Sequence, residues 1–248
     1  MSEKPWHSYS GILQELLGME NSPVAVKIAP LGGDVPEKKA RICRAVLDAA
    51  NGESSAICRE NNACFGGAWH LGFQRLNDPR LLGMVKKFVV EGEKLFSSYD
   101  ALETLIGQMG DVPDNSRACF LLSPLEKAEG APDLVVFVCN PDQACRILTF
   151  VTFPDGAMPQ VKIGGPTCRL AILYPILTGS VNISFYDYTA RKMCQVEKDK
   201  LLVSVPFGRM AGIVDSIDRC SAGTAKVEFP PEFRDFLQSR LTGTDAKL

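Results

Sequence analysis

The stretch Asp133–Leu148, DLVVFVCNPDQACRIL, decides the fold class. Leu134 to Val138 is an apolar, largely β-branched run with the length of a buried strand, far too short to span a bilayer. Asn140-Pro141-Asp142 follows directly, with a proline whose fixed φ suits the first helical position. This predicts a strand over Asp133–Cys139 and a helix to about Phe150. A strand running straight into a capped helix predicts a chain of mixed α and β structure.

The same signals recur on both sides. Upstream, Arg117–Ser123 reads as another strand, joined to Asp133–Cys139 by a polar turn. Nearer the start, the pattern predicts a helix over 8–17 stopped by Gly18, a strand over Pro23–Ala29, and a helix from about Lys38 to Ala50. SSAICRENNACFGGAWHLGF reads as a short strand, a tight loop and a helix starting near Gly67. Asp78-Pro79 opens a helix over 79–91, and Ser98–Met109 forms another. Downstream, strands are expected at Gln160–Ile163, Val181–Phe185 and Leu201–Val205. Helices are expected at Thr167–Leu177, with a kink allowed at Pro175, at Arg209–Asp218, and from Pro230 onward.

VKIAPLGG…RICRAVLDAANGESSAI can be laid against VKIGGPTCRLAILYPILTGSVNIS, with Cys43 and Cys168 in matching places. We therefore expect an α+β protein of two interlocked, duplicated strand–helix–strand halves, over 1–112 and 113–248. GDVPDNS at 110–116 is the boundary segment. The two halves could equally form one compact domain.

The bulk numbers bound the function. Of the 248 residues, 46% are hydrophobic and 23% charged, as in an ordinary globular chain. The net charge is −2 and no Lys/Arg run exceeds two residues, which argues against a nucleic-acid partner. Met1 to Ser10 is polar and no apolar segment is long enough for a membrane, so a cytoplasmic protein with no membrane association is expected. G-x-x-x-x-G-K-[ST] and G-x-G-x-x-G are absent, leaving nucleotide binding of those kinds without support. With only His7 and His70, Ser–His–Asp catalysis and histidine-based zinc sites lack material.

Nine cysteines are the informative feature. An odd number in a chain able to build its own core predicts thiols, and most thiols are small buried hydrophobes. Cys139, Cys145 and Cys119 fit that structural role, while Cys220 fits either. Three others stand at helix starts marked by glycines: Cys43, Cys64 before Phe65-Gly66-Gly67, and Cys168 after Gly164-Gly165-Pro166-Thr167. Unpaired N–H groups there favour a thiolate, and Arg44 and Arg169 would reinforce it if turned toward the sulfur. Cys58 and Cys194 are candidates for the same place.

Two functional readings follow. In one, Cys43, Cys64 and Cys168 hold a soft metal or an iron–sulfur cluster in redox or accessory metabolism. In the other, one thiolate is a nucleophile or redox centre beside an anionic ligand or cofactor contacted by Arg44, Gly66, Gly67, Gly164, Gly165, Arg169 and Arg191. No Cys-x-x-Cys pair supports the metal. The rival is a non-enzymatic small-molecule sensor or partner-binding protein whose cysteines are all structural. His70 reads as a core or surface residue, with a Cys64 pairing as the alternative. In NISFYDYTARKM, Asp187 and Arg191 stand four apart, as an ion pair or as the lining of a ligand site with Tyr186 and Tyr188.

PVAVKI, RICRAVLDAANGE, ACFGGAWHLGF, DLVVFVCNPDQACRIL, GPTCRLAILYPILTGSVNISFYDYTARK and DKLLVSVPFGRM together resemble DUF169, a prokaryotic family of unassigned function, over most of the chain. The resemblance implies a cytoplasmic protein of a kind frequent in anaerobes, with cysteines at the positions of Cys43, Cys64 and Cys168. It implies no reaction. FYDYTAR departs from the family, where a Cys/Gly-containing turn often follows NIS, so no ligand role is carried over to that segment.

Overall fold

A computed structural model describes residues 5–32, 36–75, 79–227, 230 and 233. The helix expected beyond Pro230 and the Asp78 cap lie outside those residues. Six strands form one sheet: β1 (Val24–Pro30), β2 (Ser55–Cys58), β3 (Ala118–Pro124), β4 (Leu134–Cys139), β5 (Asn182–Ser184) and β6 (Leu201–Pro206). Their order is β2-β3-β1-β4-β6-β5, and every neighbouring pair is antiparallel. All six residues of β4 are buried, as its apolar run requires of a central strand covered on both faces. Mixed α+β structure is the result.

The order contains a repetition. β1 and β2 are parallel, lie one strand apart, and take β3 between them; β4 and β5 do the same with β6. The two units meet back to back along β1 and β4, where Val24–Val26 pair with Leu134–Val136. The crossover from β1 to β2 is helix α2 (Ile42–Ala50). Between β4 and β5 run α6 (Pro141–Thr152), a π-helical segment Cys168–Leu173, and α7 (Tyr174–Thr178). β3, downstream of residue 112, lies between β1 and β2 in the sheet. The second VKI motif, Val161–Ile163, forms no strand. It is coil, tied down where Lys162 N donates to Asn182 Oδ1 at 2.8 Å. The unit's first strand is β4 instead.

Alternation sorts the core into two layers. Val24, Val26, Leu134, Val136 and Val138 pack with α2, the π-helical segment and Cys194 on one face. Ala25, Val135, Phe137 and Cys139 pack with α1 (Pro5–Leu17), α6 and α9 (Met210–Ser216) on the other. Asn140 caps α6 through a capping box with Gln143. α4 (Pro79–Lys87), continued by a π-helical turn Phe88–Gly92, and α5 (Tyr99–Gln108) fill the connection before β3.

One expectation about the cysteines fails here. Cys58 and Cys119 stand opposite each other on β2 and β3 and form a disulfide, with Cα atoms 4.3 Å apart. The other seven cysteines are free thiols. Cys139 is buried at the end of β4 as expected, whereas Cys145 faces solvent, because its position on α6 falls opposite Ala144, Ile147 and Val151.

Candidate functional site

On the face covered by α2, four free cysteines from four separate segments come together. Cys43 lies in the first turn of α2, whose apolar stripe of Ile42, Cys43, Ala45, Val46, Ala49 and Ala50 turns it inward. Cys194 ends α8 (Tyr188–Cys194), and its Sγ lies 3.5 Å from that of Cys43, within hydrogen-bonding reach for sulfur. Cys168 opens the π-helical segment. Cys64 is the N-cap of α3 (Phe65–His70), and its sulfur accepts from Gly67 N at 3.2 Å. A β-carbon at position 67 would come within 3.1 Å of the Cys64 β-carbon, a tight contact that the cap would have to shift to accept.

The backbone brings Cys64 toward Cys43. Ala40, three residues before Cys43, donates its N–H to Asn61 O at 3.0 Å and accepts from Ala63 N at 2.8 Å. Buried Asn61 stiffens that loop: its Oδ1 accepts from Cys58 N at 2.7 Å and its Nδ2 donates to Ala56 O at 2.8 Å. A clasp joins the other two cysteines. Asp187, the N-cap of α8, accepts from Ala190 N at 2.8 Å through Oδ1. Through Oδ2 it accepts from Thr167 N at 3.0 Å and Thr167 Oγ1 at 2.8 Å. Thr167 Oγ1 in turn accepts from Asp187 N at 2.7 Å.

The four sulfurs feel one another. Cys43's thiol is pushed far up, by its hydrogen bond to Cys194, by burial, and by the negative charge that Cys194, Cys168 and Cys64 would carry. Cys168 is pushed up by burial, then by Cys64 and Asp187. Cys194 moves the other way. The Cys43 hydrogen bond lowers it, and Arg44 and Arg41 add to that against the cost of burial. For Cys43 the Cys194 hydrogen bond and then burial, and for Cys168 burial, disfavour the thiolate despite the helix starts. Cys194 is the thiol of the pair that ionises first.

Three buried polar atoms without a hydrogen-bond partner belong to residues beside this group, Arg169 and Tyr186. Arg169 is 2% exposed, and its Nη2 donates to the carbonyls of Met109 at 2.8 Å, Gly110 at 3.1 Å and Asp111 at 2.5 Å. Its Nε and Nη1 are buried with no acceptor. Burial lowers its pKa, while Asp111 and Cys168 oppose that shift. Tyr186, also buried, has a hydroxyl with no partner and lies near enough to Cys43 and Cys194 for their charges to raise its pKa further, after burial. Its backbone is left-handed at φ 60, a conformation that costs a bulky residue about 1–3 kcal/mol. His70, at the end of α3, is pushed down to about 4 by desolvation and then by Arg169.

The expected site residues divide. Cys43, Cys168 and Cys194 share the core layer under α2, and Cys64 lies near enough for its charge to act on Cys43 and Cys168. Cys58 is removed from the set by its disulfide. Among the described residues, no three His, Cys, Asp or Glu side chains are disposed to hold one metal ion. Arg169 lies beside the cluster. Arg44 is turned outward onto Asp48 at 2.7 Å. Arg191 does not pair with Asp187. Its guanidinium donates to the carbonyls of Phe185, Glu197, Lys198 and Lys200, which closes the loop after α8. Gly66 and Gly67 belong to α3. Gly164 takes φ +87 and Gly165 leaves room for Leu170 Cδ1, so these two shape the turn into Cys168. Tyr186 and the Asp187–Thr167 clasp carried a faint sequence signal, the polar–aromatic density after NIS.

No solved structure matches the chain. "Uncharacterized protein MJ0308" of Methanocaldococcus jannaschii is 24% identical over 215 residues, covering 83% of this chain and 91% of that protein. The profile of DUF169, described as "Uncharacterised ArCR", matches residues 12–216, and the chain belongs to that family.

Proposed function

We propose that the thiolates of Cys43, Cys64, Cys168 and Cys194 take up a soft metal ion or an iron–sulfur cluster, in a role accessory to redox metabolism. One observation carries the reading: four free thiols from four segments lie near enough to act on one another's charge, with Cys168 beside the unpaired N–H groups of buried Arg169 and Cys43 and Cys194 beside the unpaired hydroxyl of Tyr186. A buried guanidinium with two unpaired N–H edges is costly unless something negative faces it. Four cysteines match the ligand number of zinc and iron–sulfur sites. Thiolates holding a cation or cluster would supply the missing negative charge near Arg169, and cluster sulfurs would accept from Arg169 and Tyr186. Loading would have to draw the sulfurs closer than they now stand, as expected where metal binding supplies part of the folding energy. Such a site needs its four thiols reduced, as in a cytoplasm, where the Cys58–Cys119 bridge would have to resist reduction.

Anaerobic purification or reconstitution with iron and sulfide, followed by metal analysis and visible absorption, tests the reading. Stoichiometric metal or a coloured protein is expected, with a severalfold loss on Ser substitution of any of the four cysteines and none for Cys145→Ser. A colourless, metal-free protein after reconstitution, or equal loading of the quadruple Ser variant, would sink it.

The 3.5 Å separation of Cys43 and Cys194 favours a second reading, a redox dithiol. Forming their S–S bond would release two protons and pass two electrons to an acceptor such as a disulfide. Oxidised glutathione would then produce an internal Cys43–Cys194 crosslink, visible by peptide mass analysis.

A further inference from the structure

A cleft of about 950 Å³, distinct in composition from the thiol site, opens beside α2. Its lining carries six basic side chains, Lys27, Lys38, Lys39, Arg41, Arg44 and Lys127, against the acids Asp48, Glu53 and Glu129. The whole chain has a net charge of −2, so positive charge is concentrated here against the overall balance. Four of the six fall within seven residues of sequence, where mutual repulsion raises the cost of leaving them together.

The cations are poorly neutralised. Lys27 Nζ donates to Ala131 O at 2.7 Å and Lys127 Nζ to Gly52 O at 2.8 Å, both neutral acceptors. Among the described residues the hydrogen-bond partner of the Arg41 guanidinium is the neutral Met193 thioether, and its charge acts on the Cys194 thiol. Lys38 and Lys39 are exposed, and no hydrogen bond or ion pair engages either side chain among the described residues. Arg44 alone is paired with a carboxylate, Asp48. Arg41 is the N-cap of α2 and offers its first turn no side-chain acceptor. Between these charges the walls are apolar, with Ala45, Ala56, Ile57, Leu121 and Met193.

We propose that this cleft binds a small organic polyanion, a molecule with two or more phosphate or carboxylate charges on an apolar body. The charges would be met by Lys38, Lys39, Arg41 and Arg44, the body by the alanines, Ile57 and Leu121. The proposal does not depend on the thiol cluster holding a metal, although Cys194 closes one end of the cleft.

The test is calorimetric titration of the chelator-treated full chain with phenyl phosphate and, separately, with phthalate, each a doubly charged anion on an apolar ring. Saturable one-to-one binding of at least one of them is expected, and which one binds separates a phosphate from a carboxylate ligand. The Lys38→Ala/Lys39→Ala double variant should weaken it at least tenfold. Lys87→Ala, an equally exposed charge removed elsewhere, should leave it unchanged. The bound anion should also slow acetylation of Lys38 and Lys39 by acetic anhydride. Failure of both anions to saturate would overturn the proposal. So would binding that the double variant keeps in full, or that Lys87→Ala weakens as much.

Discussion

His70 is where a single residue makes the protein depend on pH. Unfolded, its imidazole titrates at the ordinary histidine value of about 6.5; folded, desolvation and then Arg169 push it down to about 4. The folded state therefore binds fewer protons than the unfolded state between those two values. Stability is full above pH 6.5 and falls progressively as the pH drops toward 4, below which this residue causes no further loss. Two and a half pKa units correspond to at most about 3 kcal/mol, less for the part of the ring that reaches solvent. Urea midpoints of the metal-free protein between pH 7 and 4 should show the decline, and His70→Gln should flatten it. An unchanged slope in that variant would mean that other groups carry the acid sensitivity. From the sequence, His70 was legible only as a core or surface histidine with a cysteine nearby. Its charge partner, Arg169, is 99 residues away in the chain and no local pattern could have paired them.

At the scale of elements, the clasp between Asp187 and Thr167 fixes how α8 sits against the π-helical segment, and hence where Cys194 stands relative to Cys168. Asp187→Ala removes an N-cap, at about 1 kcal/mol, and leaves the buried N–H and hydroxyl of Thr167 short of an acceptor, at about 1–2 kcal/mol more. A stability loss of that summed size is expected in chemical denaturation, together with faster alkylation of Cys168 in the native protein. Asp187→Asn, which keeps an acceptor oxygen at the cap, should lose less than half as much. Equal losses would show that charge, and not capping, holds the contact. Elements with their own punctuation were legible beforehand: α6 from Asn140-Pro141, α5 from Ser98, β4 from its apolar run. Val161–Ile163 was not. Its β-branched residues carry strand propensity, yet Asn182, 20 residues on, engages Lys162 N and O and holds the segment off the sheet. Tertiary context overrode propensity there.

Across the whole molecule, the repeated β–α–β unit explains why the cysteines meet. α2 and the π-helical segment occupy equivalent crossovers, and the back-to-back pairing of β1 and β4 sets them side by side on one face. The matched positions of Cys43 and Cys168 were visible in the sequence, but the strand order that juxtaposes them was not, since pairing between distant strands leaves no local trace. The same long-range blindness hid the Cys58–Cys119 bridge, which spans a separation of 61 residues and joins β2, one of the two edge strands, to β3. Cross-linking a loop of that size removes unfolded-state entropy worth about 4 kcal/mol in the chain-entropy model. β2 runs straight into the loop that carries Cys64, so the bridge also anchors one side of the thiol site. Thiol titration of the denatured chain should find seven thiols without reductant and nine with it. The Cys58→Ala/Cys119→Ala double variant should unfold about 2–4 kcal/mol more easily while keeping its fold. Nine thiols in the unreduced protein would mean that the two sulfurs face each other unbonded, and the double variant should then cost only the loss of two small buried side chains.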